Sequence, residues 1–213
     1  MARLMVWFVI AALVASLSAP SHAEQVVELP GGRALLNRPA GAASVGLVLL
    51  TGGDGQIGIG PGGRVQRGGN WIVRTRGAYA ASGVASLLID GDVDVGAAIA
   101  HMRAVAPRVM VVAMSRGALK VAPALAHRPD GVVFASAMLT DARVAIGDAA
   151  RLPPTLVVHH QLDTCRVTAA GSVTPFLAWA GSRARVVWID GGTSQGDVCQ
   201  RAPITASSAA RTP

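Results

Sequence analysis

The sequence predicts an α/β domain with a mostly parallel sheet and helices on both faces of that sheet. Short apolar runs of strand length alternate along the chain with segments of helical composition. Alternation of this kind is typical of parallel sheets, whose strands are apolar throughout because both faces are covered. The 213 residues, of which 51% are hydrophobic, suffice for one domain with a substantial core. No insertion of the size of a lid domain is visible.

The first 23 residues are predicted to be a signal peptide, so the protein is expected in the periplasm or outside the cell. Arg3 supplies the positive charge, Leu4–Leu17 is an apolar run of 14 residues, and Ser21-His22-Ala23 offers small residues for cleavage. A membrane-spanning helix needs about 20 apolar residues. We therefore expect no membrane anchor after cleavage and a mature chain that starts near Glu24.

Eight strands are predicted. The first two form a hairpin, in which Gln25–Glu28 and Arg33–Asn37 flank the turn residues Pro30-Gly31-Gly32. Apolar runs mark the others: Gly46–Thr51, Val84–Asp90, Val109–Met114, Gly131–Ala135, Thr155–His160 and Ala184–Asp190.

Four helical segments are predicted, over residues 70–82, 95–104, 116–126 and 174–179. Asn70 and Asp94 are good capping residues for the first two. Thr174 followed by Pro175 is the preferred start of the last one.

Ser115 lies where the strand Val109–Met114 turns into the next helical segment. A serine on such a turn can adopt a strained backbone conformation only if the residues two before and two after it are small. These residues are Ala113 and Gly117. The pattern is that of the G-x-S-x-G nucleophile elbow with alanine at its first position, so Ser115 is the predicted nucleophile. The alternative is that Ser115 only caps the helix that follows.

The glycine-rich segment that begins at Gly52 is predicted to contribute to an oxyanion hole. Acyl transfer at a serine needs N–H groups that face the carbonyl oxygen, one from the residue after the nucleophile and one from the loop after an early strand. These groups would belong to Arg116 and to Gly53 or Asp54. The alternative is an ordinary glycine-rich surface loop.

A dinucleotide site is not expected at Gly58–Gly63. This run lies seven residues past its strand, contains Pro61 and does not lead into a helix. The sequence therefore predicts no cofactor and no metal.

Asp163 is the predicted acid, because it comes just after the strand that ends in His159-His160, at the carboxyl edge of the sheet. Asp90 and Asp94 are competitors at the same edge, although Asp94 is also explained as a helix cap. In an oxidising compartment, Cys165 and Cys199 are expected to be bridged rather than free.

The general base is the missing part of this constellation. The usual chain order is serine, acid and then histidine, but no histidine follows His160. His127 ends the helical segment after Ser115 and is expected to lie away from the reacting edge, and His101 is expected on the surface of a helix. His159 and His160 alternate across the sheet, so one of them faces the site. His160 is kept as the candidate base, and the alternative for both is a packed strand-end histidine.

The net charge of +7 and the pI of about 11.1 do not indicate nucleic-acid binding. The arginines are scattered, Lys120 is the only lysine, and the aromatic residues are too few for stacking platforms. We expect a small-molecule partner, with at most a weak affinity for anionic surfaces.

Taken together, these motifs resemble a group of small exported α/β-hydrolase-type proteins. The resemblance covers about residues 45–199 and rests on five runs: Thr51-Gly-Gly-Asp-Gly, Gly69-Asn-Trp-Ile-Val-Arg-Thr-Arg76, Asp90 to Asp94, Ser115-Arg-Gly and His159-His160-Gln-Leu-Asp-Thr-Cys165. Each run is modest alone, but their order and spacing are fairly specific.

The resemblance implies that the fold is α/β-hydrolase-like without a large lid. It also implies Ser115 as nucleophile, Asp163 as acid, a bridge between Cys165 and Cys199, and a histidine shortly after the second cysteine. Residues 200–213 contain no histidine and are expected to form an irregular tail, which leaves residues 24–199 as the domain. Arg74 and Arg76 match the paired arginines of these proteins.

Two hypotheses of function remain open. One is a serine hydrolase of esterase type, acting on an unidentified ester, whose C-terminus is atypical, for example through a shift of reading frame. The other is a non-catalytic exported protein of the same fold that binds a ligand above Ser115.

Overall fold

An eight-stranded sheet organises the part of the protein that the computed structural model describes, residues 24–191 and Cys199. Its strands are β1 (Glu24–Leu29), β2 (Gly32–Asn37), β3 (Val45–Leu50), β4 (Val84–Ile89), β5 (Val109–Ser115), β6 (Gly131–Ala137), β7 (Thr155–His160) and β8 (Ala184–Ile189). Their order across the sheet is β1-β2-β4-β3-β5-β6-β7-β8. The predicted signal peptide and tail lie outside the described residues.

The sheet is mostly parallel, as predicted. β1 pairs with β2, and β2 with β4, in antiparallel fashion, so the predicted hairpin is present. All pairs from β4 across to β8 are parallel. The strands that carry the candidate residues therefore end at one common edge.

Five α-helices pack on this sheet in the described part of the chain: α1 (Trp71–Thr75), α2 (Val95–Arg103), α3 (Val121–Ala124), α4 (Leu139–Ile146) and α5 (Val173–Ala180). The predicted caps of the first two are confirmed. The side chain of Asn70 accepts a hydrogen bond from the Ile72 N–H at 3.0 Å, and that of Asp94 accepts one from the Ala97 N–H at 2.6 Å. These caps satisfy N–H groups that a helix start leaves without a partner.

Two predicted helices are shorter or less regular than expected. The one predicted over 70–82 ends at Thr75, and a separate 3₁₀ turn (Ala78–Ser82) follows Gly77, because glycine inside a helix is unfavourable. The segment after Ser115 starts as a 3₁₀ turn (Arg116–Lys120) and becomes α-helical only in α3.

The start of α5 and the whole of α4 also differ from the sequence prediction. α5 begins before Thr174, because the 3₁₀ turn Ala170–Ser172 runs directly into it, and Ser172 makes no side-chain cap. α4 was not predicted: Met138 precedes it and cannot cap it, so the usual start signal is missing.

The core lies on both faces of the sheet. On one face, α2, α3, α4 and α5 bury a large cluster whose fully covered members include Ala98, Val121, Leu139 and Phe176. On the other face, Ile72 and Val73 of α1 pack with Ile57 and Ile59 of the glycine-rich segment. The prediction of helices on both faces is thus confirmed. Within the residues described here, none of the helices has the length and apolar character that crossing a membrane requires.

Candidate active site

Ser115 ends β5 in a backbone conformation that few non-glycine residues adopt, with φ 49° and ψ −123°. Its side chain makes no capping hydrogen bond to the turn that follows, so the interpretation of Ser115 as a simple helix cap is wrong. Positive φ at a non-glycine residue costs about 1–3 kcal/mol and is concentrated at functional sites. The conformation is the one that a nucleophile elbow requires.

The elbow packs tightly against the end of β3. A β-carbon on Gly117 would lie 2.6 Å from the carbonyl oxygen of Thr51 and 2.7 Å from that of Leu50. A β-carbon on Gly52 would lie 2.8 Å from the β-carbon of Ser115 and 3.4 Å from its hydroxyl oxygen. Only glycine fits at these two positions, and the Gly52 loop is thereby brought against the serine.

A bulge in β6 supports the elbow from the other side. Met114 pairs with Ala135 and Ser115 with Ala137, so Ser136 has no partner in β5 and adopts a φ of 40°. The Met138 N–H then donates a hydrogen bond to the carbonyl oxygen of Ser115 at 3.1 Å. Sequence analysis missed this feature, since no residue pattern in β6 signals a bulge.

A cavity of about 330 Å³ lies beside the elbow. It is lined by Thr51, Gly53, Asp54, Gly55, Arg116, Gly117, Leu119 and Lys120. The cavity therefore brings together both segments that were predicted to form the oxyanion hole, although Ser115 itself is not in its lining. Gly53 has a φ of 67°, and its N–H has no hydrogen-bond partner among the described residues. This N–H is available to a bound oxygen atom.

Asp90 holds the glycine-rich segment in place. Its carboxylate accepts hydrogen bonds from the N–H groups of Ile57 at 2.7 Å, Gly58 at 3.3 Å and Ile59 at 2.9 Å, and also from Gly91 at 2.9 Å. Burial raises the pKa of Asp90, but these hydrogen bonds outweigh it and bring the pKa below its usual value. With both oxygens engaged by the main chain, Asp90 has a positioning role, and Asp94 caps α2.

Asp54 and Arg74 also fix the glycine-rich segment. The Asp54 carboxylate pairs with Arg67 at 2.8 Å, and Arg74 donates to the carbonyl oxygen of Gly69. Arg76 turns elsewhere and pairs with Glu24 of β1. Of the two arginines that carried the resemblance, one contacts the glycine-rich segment.

The interpretation of 52–69 as an ordinary surface loop does not account for its buried Ile57 and Ile59 or for this set of contacts.

The Gly58–Gly63 run closes on itself by main-chain hydrogen bonds. The Gly60 N–H donates to the Arg64 carbonyl oxygen at 2.8 Å, and the Gly63 N–H donates to that of Gly60 at 2.9 Å. No helix starts from this turn. Between residues 24 and 191 and at Cys199, no group of three or more His, Cys, Asp or Glu side chains is placed to hold a metal ion.

Asp163 lies in the loop after β7 and is surrounded by hydrogen-bond donors. One carboxylate oxygen accepts from the Cys165 N–H at 2.9 Å. The other accepts from the Thr168 hydroxyl at 3.0 Å and lies 3.4 Å from Nε2 of His159. Burial raises the pKa of Asp163, but the contacts with His159, Cys165 and Thr168 together lower it below its usual value. Asp163 is thus an ionised carboxylate at the predicted edge of the sheet.

The two strand-end histidines of β7 contact the protein rather than Ser115. His159 is buried, its Nε2 lies 2.6 Å from the Thr168 carbonyl oxygen, and its Nδ1 has no partner among the described residues. His160 is half-buried, its Nε2 lies 2.9 Å from the carbonyl oxygen of Gly191, and its Nδ1 accepts from the Leu162 N–H at 3.0 Å. Since Nδ1 of His160 is an acceptor, Nε2 carries the ring proton and donates a hydrogen bond to the carbonyl oxygen of Gly191.

The other two histidines among the described residues, His101 and His127, lie on the helical layer. His101 of α2 is half-buried, and its Nε2 has no hydrogen-bond partner in the described part of the chain. His101 is thus partly exposed, although its Nε2 is covered by the protein. His127 is exposed, and its ring packs over Gly96, where a β-carbon would lie 2.2 Å from it.

A disulfide joins Cys165 and Cys199 across 34 residues of sequence. Cys165 is buried next to Asp163, whose carboxylate accepts from its N–H group. The bridge therefore connects the loop that carries the candidate acid to the segment that follows β8. The predicted pairing is present.

Comparisons with solved structures identify the fold. The chain is similar to an α/β serine hydrolase homologue from Coxiella burnetii, with a TM-score of 0.56 and 16% identity over 80% of this chain and 88% of that one. It is also similar to an α/β serine hydrolase without lid from Xanthomonas campestris, with a TM-score of 0.53 and 16% identity over 80% and 84% of the two chains. A third similar structure is carboxyl esterase 2 from Tuber melanosporum, with a TM-score of 0.55 and 15% identity over 84% and 79%.

In sequence, neither a protein family model nor a curated protein matches the chain. At these low identities the structural similarity establishes the fold alone. The expected α/β-hydrolase fold without a large lid is confirmed.

Proposed function

We propose that the protein is a serine hydrolase of esterase type in which Ser115 is the nucleophile. The observation that carries this proposal is the backbone of Ser115, held at φ 49° between β5 and the 3₁₀ turn, with Gly52 and Gly117 packed against it. The fold adds support, because several similar solved structures are described as serine hydrolases or esterases.

In the proposed reaction, the Ser115 hydroxyl oxygen bonds to the carbonyl carbon of an ester while a base takes its proton. The carbonyl oxygen gains the negative charge and accepts hydrogen bonds from the N–H groups of Arg116 and Gly53. The bond between the carbonyl carbon and the alcohol oxygen then breaks, and the alcohol leaves with the proton. Water next attacks the acyl carbon while the base takes its proton, the bond to the Ser115 oxygen breaks, and the proton returns to Ser115 as the acid is released. Arg116 suits this role because it is the first residue of its turn, where N–H groups have no partner within the turn.

His160 is the proposed base, with Asp163 as the acid in the neighbouring loop. His160 sits at the end of β7, at the same sheet edge as Ser115, and its side chain is only half-buried. To accept the serine proton, the ring must release its unprotonated Nδ1 from the Leu162 N–H and turn that nitrogen toward the hydroxyl. His159 is less suited, because it is buried and paired with Asp163 and Thr168.

Covalent labelling with a fluorophosphonate probe tests the proposal. We expect labelling of the full mature chain and its loss in Ser115→Ala. Ser136→Ala is the matched control, since Ser136 also has a positive φ and lies next to the elbow, and it should remain labelled. A probe that does not react with the folded protein, or reacts equally with Ser115→Ala, contradicts the proposal.

A non-catalytic binding protein is the second candidate function, and the histidines favour it. Three of the four ring nitrogens of His159 and His160 are engaged by groups other than Ser115. Loss of the base of a triad lowers turnover by several orders of magnitude. This candidate predicts no labelling, together with binding of a small molecule above Ser115.

Export is part of the proposal as well. The Leu4–Leu17 run and the small residues before Glu24 support a cleaved leader, and the Cys165–Cys199 disulfide is compatible with an oxidising compartment. N-terminal sequencing of the protein recovered from the periplasm or medium should give a start near Glu24. Recovery of the uncleaved chain only from the cytoplasm contradicts this part.

A further inference from the structure

The cavity beside Ser115 carries two cationic side chains. Arg116 and Lys120 come from the same 3₁₀ turn, four residues apart, and both line the cavity. The Arg116 side chain is exposed and makes no hydrogen bond or ion pair with any residue that the structure describes. Arg116 thus lines the cavity with a guanidinium group whose five donors no described residue uses, and such a group is suited to hold a ligand oxygen.

Lys120 is half-buried, and its ammonium group donates one hydrogen bond, to the carbonyl oxygen of Gly91. An ammonium group has three donors, so two remain. The group also lies 3.7 Å from the position of a β-carbon on Gly55, which places it at the glycine-rich wall of the cavity. The bond to Gly91 fixes the charge there.

The acidic residue in the cavity lining does not cancel these charges. Asp54 is the acid among the lining residues, and its carboxylate is already paired with Arg67 at 2.8 Å and accepts from the Gln56 N–H at 3.0 Å. The cavity therefore has two positive charges that no carboxylate of its lining neutralises. At about 330 Å³ it also lies within the size range of small-molecule sites.

From this arrangement we infer that the ligand of the site is an anion, an ester whose acyl or alcohol part carries a carboxylate or a phosphate. The inference rests on the proposed function in placing the ester carbonyl at Ser115, next to Arg116. The charged end of the molecule lies between the Arg116 and Lys120 side chains. Its carbonyl oxygen lies against the N–H groups of Arg116 and Gly53.

The test is a titration of the Ser115→Ala protein, which has no nucleophile, with glutarate and with inorganic phosphate by calorimetry. Binding of either probe is expected, with affinity about 10- to 100-fold weaker in Arg116→Gln and in Lys120→Gln. Arg143→Gln is the matched control, because it removes an exposed arginine of α4 that does not line the cavity. Preference for one probe identifies the anion.

Several outcomes overturn the inference. It fails if neither probe binds, or if Arg143→Gln weakens binding as much as the two cavity variants do. Arg116→Gln keeps the test decisive if Lys120→Gln fails to fold, since the exposed Arg116 side chain makes no hydrogen bond or ion pair with the described residues. Labelling without anion binding would leave the hydrolase proposal standing and remove this inference. Anion binding without labelling would remove the hydrolase proposal, and with it the ester, and would leave only an anion site beside Ser115.

Discussion

The carboxylate of Asp163 lies 3.4 Å from Nε2 of the buried His159, so the candidate acid pairs with a histidine that is enclosed by the protein. The same nitrogen lies 2.6 Å from the Thr168 carbonyl oxygen. This pairing closes the loop after β7 upon itself. It leaves His160 as the strand-end histidine of β7 with a partly exposed ring.

His160→Gln is expected to slow labelling of Ser115 by a fluorophosphonate by about 10²- to 10⁴-fold, the usual contribution of a general base. The physical reason is that glutamine can keep a hydrogen bond to Gly191 but cannot take a proton from the hydroxyl. The measurement is the labelling rate, with the circular dichroism spectrum as a check of folding. His127→Gln serves as the control, and an equal rate in both variants would exclude His160 as the base.

Gly117→Ala is expected to lower the free energy of unfolding by about 1–3 kcal/mol, because its β-carbon would overlap the carbonyl oxygens at the end of β3. The elbow should shift as a result, so labelling should fall too. Denaturant unfolding measures the first effect. Gly62→Ala is the control, since no atom lies within 4 Å of its β-carbon position, and it should change stability by less than about 0.5 kcal/mol. Equal stability of the two variants would contradict the packing described for the elbow.

Asp90→Asn is expected to lower the free energy of unfolding at pH 7 by about 1–3 kcal/mol, because main-chain N–H groups lose a charged acceptor. The pKa of Asp90 is lowered in the folded protein, so its stabilisation is present above the unfolded-state pKa of about 3.9. That stabilisation is lost as the pH falls through the folded-state pKa. The difference between wild type and variant should therefore shrink below about pH 4.

The exposed neighbour Asp92 provides the control for this measurement. Asp92→Asn should leave stability unchanged across the same pH range. A constant difference between wild type and Asp90→Asn at all pH values would show that the carboxylate charge is not what holds the glycine-rich segment.

Replacing both cysteines by alanine is expected to lower the free energy of unfolding by about 3–4 kcal/mol, because the unfolded chain loses a crosslink that spans 34 residues. Dithiothreitol should lower the Tm of the wild type and leave that of the double variant unchanged. Two free thiols in the untreated protein, or a Tm that does not respond to reductant, would contradict the bridge.

The strands and the elbow could be predicted from sequence because their signals are local. Apolar runs identified six strands, the turn residues Pro30-Gly31-Gly32 identified the hairpin, and Ala113 and Gly117 marked the turn around Ser115. The prediction failed where structure depends on contacts between distant residues. α4 begins at Leu139 without a capping side chain on Met138, and its buried residues Leu139, Ala142 and Ile146 pack in the large core cluster.

In the candidate site, too, local features could be predicted from sequence and contacts between distant residues could not. Asp90 was recognised as a competitor for the acid, but its role depends on N–H groups more than 30 residues away, which no local pattern reveals. The bulge at Ser136 and the pairing of Asp163 with His159 likewise become visible only when β5, β6 and β7 are side by side. The general base stays a prediction for the same reason, because the choice between histidines depends on where each ring points.

At Ser115 the requirements of folding stability and of the proposed reaction conflict, because the residue has a positive φ. Glycine would adopt this conformation without steric cost, so evolution for folding stability alone would favour Ser115→Gly, whereas attack on an ester requires the hydroxyl. A thermostability screen of this protein should therefore enrich Ser115→Gly, which lacks the hydroxyl that the proposed reaction needs. A selection for thermal stability should therefore also measure labelling of Ser115, so that variants without the hydroxyl are removed.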